Sequence, residues 1–198
     1  MVKDPLLSGK PGIVEFVQVP AMTYLAIEGQ GAPGDAAYRL AVGALYPLAY
    51  GARFAGKVRG IDEKVGPLEG LWWADDMTAF LSGRREDWRW RMMIRAPSWL
   101  DEVAFQGLRV AARQKKAMDS ARIAALDQVA LTTLDEGACV QALHVGPYAD
   151  EGPLIQRMHA EAAARGRALR GRHHEIYLSD PARVAPERLK TILRQPVT

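Results

Sequence analysis

The chain has 198 residues, 48% hydrophobic and 25% charged, a balance that excludes a disordered or fibrous class. Its 26 Lys+Arg exceed 23 Asp+Glu by a net charge of only +3, scattered along the chain, so no direct nucleic-acid partner is expected. Cys139 is the only cysteine, which rules out an intrachain disulfide and suits a reducing compartment, and no stretch approaches the ~20 apolar residues of a membrane span. The opening Met1-Val2-Lys3-Asp4-Pro5 holds no apolar run of the signal-peptide type, so a cytoplasmic location away from membranes is expected.

Ile13 to Gln18 and Met22 to Gly29 read as two strands joined at Val19-Pro20-Ala21, where proline cannot donate to a ladder. Glycines break the pattern after Gly29, and Asp35 is placed to cap a helix running to about Lys57. Ala41, Leu45, Leu48, Ala49 and Ala52 form its apolar stripe, and Pro47 predicts a kink. Val65 to Trp73 and Trp88 to Arg95 are the next strands, on either side of a polar excursion from Asp75 to Asp87. Ser98-Trp99-Leu100-Asp101 opens a helix whose face carries Leu100, Val103, Ala104, Leu108 and Ala111, and a polar stretch from Lys115 to Ser120 joins the two halves.

The order then recurs. Arg122 to Leu134 reads as largely extended and ends at Asp135-Glu136-Gly137, and Ala138 to Val145 is a strand broken by Gly146-Pro147-Tyr148. Glu151 to Arg165 reads as a helix with Pro153 in its first turn, followed by the strands His173 to Leu178 and Thr191 to Val197. Matched strand endings, Arg95-Ala96-Pro97 and Arg194-Gln195-Pro196, support a duplication. The expected fold is α+β: one domain over residues 1–198, with halves at about 13–97 and 120–198.

Two glutamates occupy matched strands. Alternation places Glu69, Leu71 and Trp73 on one face, and His173, Glu175 and Tyr177 on one face of the later strand. Trp88, Trp90, Met92 and Ile94 share a face of the strand between them. If those faces meet, Trp73, Trp90, Met92, Tyr148, Glu175 and Tyr177 wall a cleft suited to a flat, delocalised cation. Glu69 and Glu175 are also candidate general bases, and Tyr148, after its Gly-Pro break, a candidate proton donor. His173 and His174 point to opposite faces, while His144 and His159 have no ligand spacing, so neither a metal nor another cofactor is expected.

Three segments carry a resemblance: Leu68-Glu69-Gly70-Leu71-Trp72-Trp73-Ala74-Asp75-Asp76, His144-Val145-Gly146-Pro147-Tyr148, and His173-His174-Glu175-Ile176-Tyr177-Leu178-Ser179-Asp180-Pro181. Together they resemble the stand-alone branch of the GyrI-like small-molecule-binding proteins. The resemblance implies a pseudo-two-fold pair of strand–helix–strand–strand units in one antiparallel sheet around a central cleft, with an aromatic or cationic small molecule as partner. It also implies that Glu175 matches the central glutamate of the multidrug-sensing relatives. No helix-turn-helix segment is read ahead of residue 13, so direct transcription control is not expected, and no motif names a protein partner. Some stand-alone relatives hydrolyse cyclopropane-bearing DNA-alkylating natural products, which implies a detoxifying hydrolase as the alternative.

Overall fold

A computed structural model describes residues 4–76, 78–116 and 118–198. Met1 to Lys3, on which the reading of the chain start rests, lie outside the described residues. So do Met77 of the polar excursion and Ala117 of the joining stretch. The elements run β1 (Val14–Val19), β2 (Met22–Gln30), α1 (Ala36–Val58), β3 (Leu68–Trp73), α2 (Ala79–Ser82), β4 (Arg89–Arg95), α3 (Glu102–Arg113), α4 (Ser120–Gln128), β5 (Ala130–Leu134), β6 (Gly137–Val145), α5 (Gly152–Ala164), β7 (His173–Tyr177) and β8 (Lys190–Pro196). The fold is α+β with antiparallel strand pairing, as expected.

The segment from Arg122, expected to be extended, starts inside a helix instead. The Asp119 side chain accepts from the Arg122 amide and caps α4, leaving only Ala130–Leu134 as strand. An N-cap of this kind satisfies one of the amides that a helix start leaves without partners, and Ala125 and Leu126 are then buried on the helix.

Two compact units are interleaved along the chain. The first comprises Met1–Ala21, Pro67–Leu71 and Asp135–Thr198; the second comprises Met22–Gly66 and Trp72–Leu134. β1 belongs with the C-terminal strands because its Val14–Val19 ladder pairs with Ala142–Gly137 of β6.

In the first unit the strand order is β1-β6-β8-β7-β3. β8 alternates strictly: Thr191 and Leu193 face one side, Ile192 and Arg194 the other. On the first side α5 packs Met158 and Ala162 against Val140, Ala142, Leu193 and Val197. On the other, Leu143, Ile176 and Ile192 make a small core under Leu7.

In the second unit β2 lies between β4 and β5. Its helix α1 carries Pro47 and buries Ala41, Leu45, Leu48, Ala49 and Ala52, the stripe expected from spacing. Trp90 lies opposite Gly29 in the β2–β4 register, and a Cβ built at Gly29 would stand 2.2 Å from the indole. Only a residue without a side chain lets the ring come this close to the neighbouring strand.

Candidate functional site

The site of the first unit begins with a turn. Gly146 takes φ +144°, a conformation L side chains rarely adopt, and its N–H donates to Leu189 O at 3.0 Å. His144 Nε2 lies 3.1 Å from Pro147 O, and since a carbonyl only accepts, that nitrogen carries the proton. The chain is thereby turned out of β6 so that Tyr148 opens a 3-10 turn just ahead of α5.

Tyr148 meets Tyr177 edge to face, with ring centroids 5.7 Å apart and planes at 79°. The Tyr177 hydroxyl donates to Glu175 Oε2 at 2.8 Å. Glu175 is 17% exposed at its side chain, with His173 Nε2 3.7 Å from Oε1. Burial raises the Glu175 carboxyl to about 7, against the lowering pull of the Tyr177 bond and of the His174 charge. His173 is pushed down to about 3, first by burial and then by His159 and His174, so it is neutral at pH 7 and does not neutralise Glu175. The Tyr148 phenol is raised by burial and by the charges of Glu151, Glu175 and Asp180, and keeps its proton.

Glu151 was read from sequence only as a helix start. In the fold it is 4% exposed, and its carboxyl is raised to about 9 by burial and by the Glu175 charge, with the Thr191 hydroxyl opposing. A signal was present: Glu151 lies three residues after Tyr148 of the Gly-Pro-Tyr break and directly before Gly152-Pro153. Spacing alone could not show that its side chain turns inward.

Glu69 does not join this group, contrary to the expectation of one cleft with both glutamates. Its Oε2 lies 3.0 Å from His174 Nε2, and His174 and Glu175, adjacent on β7, point to opposite faces. The other ring nitrogen, His174 Nδ1, lies 3.0 Å from Glu136 Oε1, and Arg194 Nη1 donates to Glu136 Oε2 at 3.2 Å. Arg194 also donates to Gln141 Oε1 at 3.1 Å and to Leu6 O at 2.8 Å. With a carboxylate at each nitrogen the ring is an imidazolium; burial opposes that state, but Glu136 and Glu69 raise it to about 9. Two anions and two cations balance, which is how charges persist in a buried place. The matched arginines differ for this reason: Arg194 is fully buried, whereas Arg95 is exposed.

The remaining expected wall residues belong to the second unit. Trp90 and Met92 are fully buried, and Tyr38 of α1 meets Trp90 edge to face at 5.5 Å and stacks near Trp72 at 6.2 Å. Trp73 is half-buried at the end of β3. Cys139 is buried, with its thiol raised to about 12 by desolvation, which leaves it inert as a nucleophile. Among the described residues no group of three or more His, Cys, Asp or Glu could hold a metal, and no helix is long and apolar enough to cross a membrane.

Similar folds are found among solved structures. An uncharacterised conserved protein from Listeria innocua is 34% identical, with a TM-score of 0.86 and 95% and 93% of the two chains covered. A hydrolase from Listeria innocua is also 34% identical, with a TM-score of 0.81 and coverage of 96% and 94%. The EcmrR C-terminal domain shares the fold at 9% identity, a TM-score of 0.57 and coverage of 94% and 97%. No curated protein gives a significant match. The family model for the GyrI-like small molecule binding domain matches residues 14–198, and the chain therefore belongs to the GyrI-like small-molecule-binding family.

Proposed function

We propose that the chain binds planar aromatic, cationic small molecules against the Glu175–Tyr177–Tyr148 group. The observation that carries this reading is a half-buried carboxylate oriented by one tyrosine at 2.8 Å and flanked by the edge-to-face ring of a second. Ring faces attract a delocalised cation, and the carboxylate supplies its counter-charge where water is scarce. Titration of Glu175→Gln with a planar cation and a neutral ligand of the same shape tests the reading by fluorescence. The cation should lose about 10- to 100-fold, or about 1–3 kcal/mol, more than the neutral ligand. Equal losses would show that the charge plays no part.

A hydrolase is the second reading, supported by a carboxylate whose affinity for protons is near neutrality and by the 34% identical Listeria innocua hydrolase. In a cyclopropane conjugated to a dienone, Glu175 takes a proton from water as the C–O bond forms and the strained C–C bond breaks. The released electron pair makes the ring a phenolate, to whose oxygen Tyr148 donates a hydrogen bond, and the proton held by Glu175 passes to that oxygen as the product leaves, which restores both side chains. Glu69, held by His174, is poorly placed for either step. Mass analysis after incubation with a cyclopropanoid decides it. A product one water heavier, formed faster than in buffer, supports turnover; binding without product leaves a sequestering protein in a cytoplasmic detoxifying role.

A further inference from the structure

We propose that Glu151 is a second carboxyl of the ligand site and holds a proton there, so that the site accepts one positive charge at neutral pH and two once that proton has left. The proposal rests on the reading of the Glu175 group as the ligand site.

The geometry singles this residue out. Glu151 stands immediately before α5, and its N–H donates to Tyr148 O at 3.3 Å. A carboxylate at that place ordinarily accepts from the first-turn amides, as Asp101 and Asp119 do at their helices, yet the Glu151 side chain makes no capping bond. It is 4% exposed instead, and its Oε1 makes no hydrogen bond of ordinary geometry among the described residues, the nearby Thr191 hydroxyl being the one group that acts to lower its proton affinity. A buried oxygen without a partner is rare and calls for a proton or a ligand.

The groups facing it come from several elements. β7 contributes Glu175 and Tyr177, and β8 contributes Thr191, which pairs in register with Tyr177 on one side and His144 of β6 on the other. Its own turn contributes Tyr148, while Asp150 of the same turn is exposed. The His144 proton is committed to Pro147 O, and His173 and His159 are both shifted toward the neutral form by burial. The charge acting on Glu151 is therefore that of Glu175, and no described cation offsets it. Two carboxyls so placed lose their protons in separate steps, and the pair retains one proton well above the ordinary carboxylate range. Burial and the Glu175 charge both push that second step upward.

A specificity follows. At neutral pH the site offers one carboxylate and one neutral carboxyl that donates a hydrogen bond. That pair suits a planar aromatic monocation with an acceptor at its rim and disfavours a dication of the same ring until the second proton leaves.

Ethidium and propidium share a phenanthridinium ring and differ by one cationic side arm, so their relative affinities read the charge of the site. In wild type the propidium-to-ethidium affinity ratio should rise about tenfold between pH 7 and pH 10. Glu151→Gln should lose that rise, and Asp150→Asn, an exposed neighbour, should keep it. A ligand-free measurement runs beside this one: carbon-13 NMR of glutamate carboxyls. The signal absent from Glu151→Gln should titrate above pH 7 in wild type and move toward the ordinary carboxylate range in Glu175→Gln. A Glu151 signal that titrates near pH 4–5 overturns the proposal, as does a ratio with the same pH dependence in wild type and Glu151→Gln. Failure of both dyes to bind at any pH would remove the ligand-site reading instead, while the NMR titration still decides whether Glu151 holds the proton.

Discussion

His174→Gln should destabilise the protein most at mildly acidic pH, and the loss should fade as the medium becomes basic. The imidazole is fully buried, with Glu136 at 3.0 Å from one nitrogen and Glu69 at 3.0 Å from the other. Burial alone would lower its proton affinity, so its rise to about 9 means that the two carboxylates outweigh desolvation. A folded-state value above the unfolded one gives stability that is fully present below pH 6.5 and is lost as pH climbs through 9. The difference between 6.5 and about 9 corresponds to about 3 kcal/mol. That agrees with the about 3–5 kcal/mol expected when one partner of a buried ion pair is removed. Urea unfolding of wild type and His174→Gln at pH 6 and pH 9.5 measures it directly. The wild-type advantage should shrink by about 3 kcal/mol between the two. An advantage of the same size at both would show that His174 is neutral in the fold, and the paired-charge account of this cluster would be wrong.

Other perturbations follow from the same geometry. Gly29→Ala should lower the thermal midpoint, with a cost of about 1–3 kcal/mol, because its methyl must displace the fully buried Trp90 ring; an unchanged midpoint would mean the ring shifts freely. Glu151→Gln should be more stable than wild type at pH 8 by about 1–3 kcal/mol. Its raised folded-state value means that its contribution is present below pH 4.5 and lost toward pH 9, so thermal melts at pH 4 should show the advantage gone. If the chain turns over a cyclopropanoid, Tyr148→Phe should slow the chemical step by about 10²-fold with little change in binding, since the ring remains while its donor goes; single-turnover rates and dye titration separate the two.

Much of this protein was legible in its residues. Period-two alternation located the strands bearing both glutamates, and glycine and proline marked their ends. The Gly146-Pro147 break pointed to Tyr148 as a side chain set apart from a regular element. Glu175 and Tyr177, two apart on one strand, had to share a face, and the hydroxyl of one does donate to the carboxylate of the other. Tertiary structure alone decided the rest. Alternation states that His174 and Glu175 oppose each other, but not which face of β3 each will meet, so Glu69 could not be assigned to His174 from its own strand. An aromatic face on β4 reads alike whether it is ligand wall or core, and Trp90 became core because Gly29, a residue 61 positions away, leaves room for its ring. The proton affinities of Glu151, His174 and Glu175 were beyond sequence for the same reason. Each depends on desolvation and on charges brought within a few ångströms by strand register, and no local pattern encodes those distances.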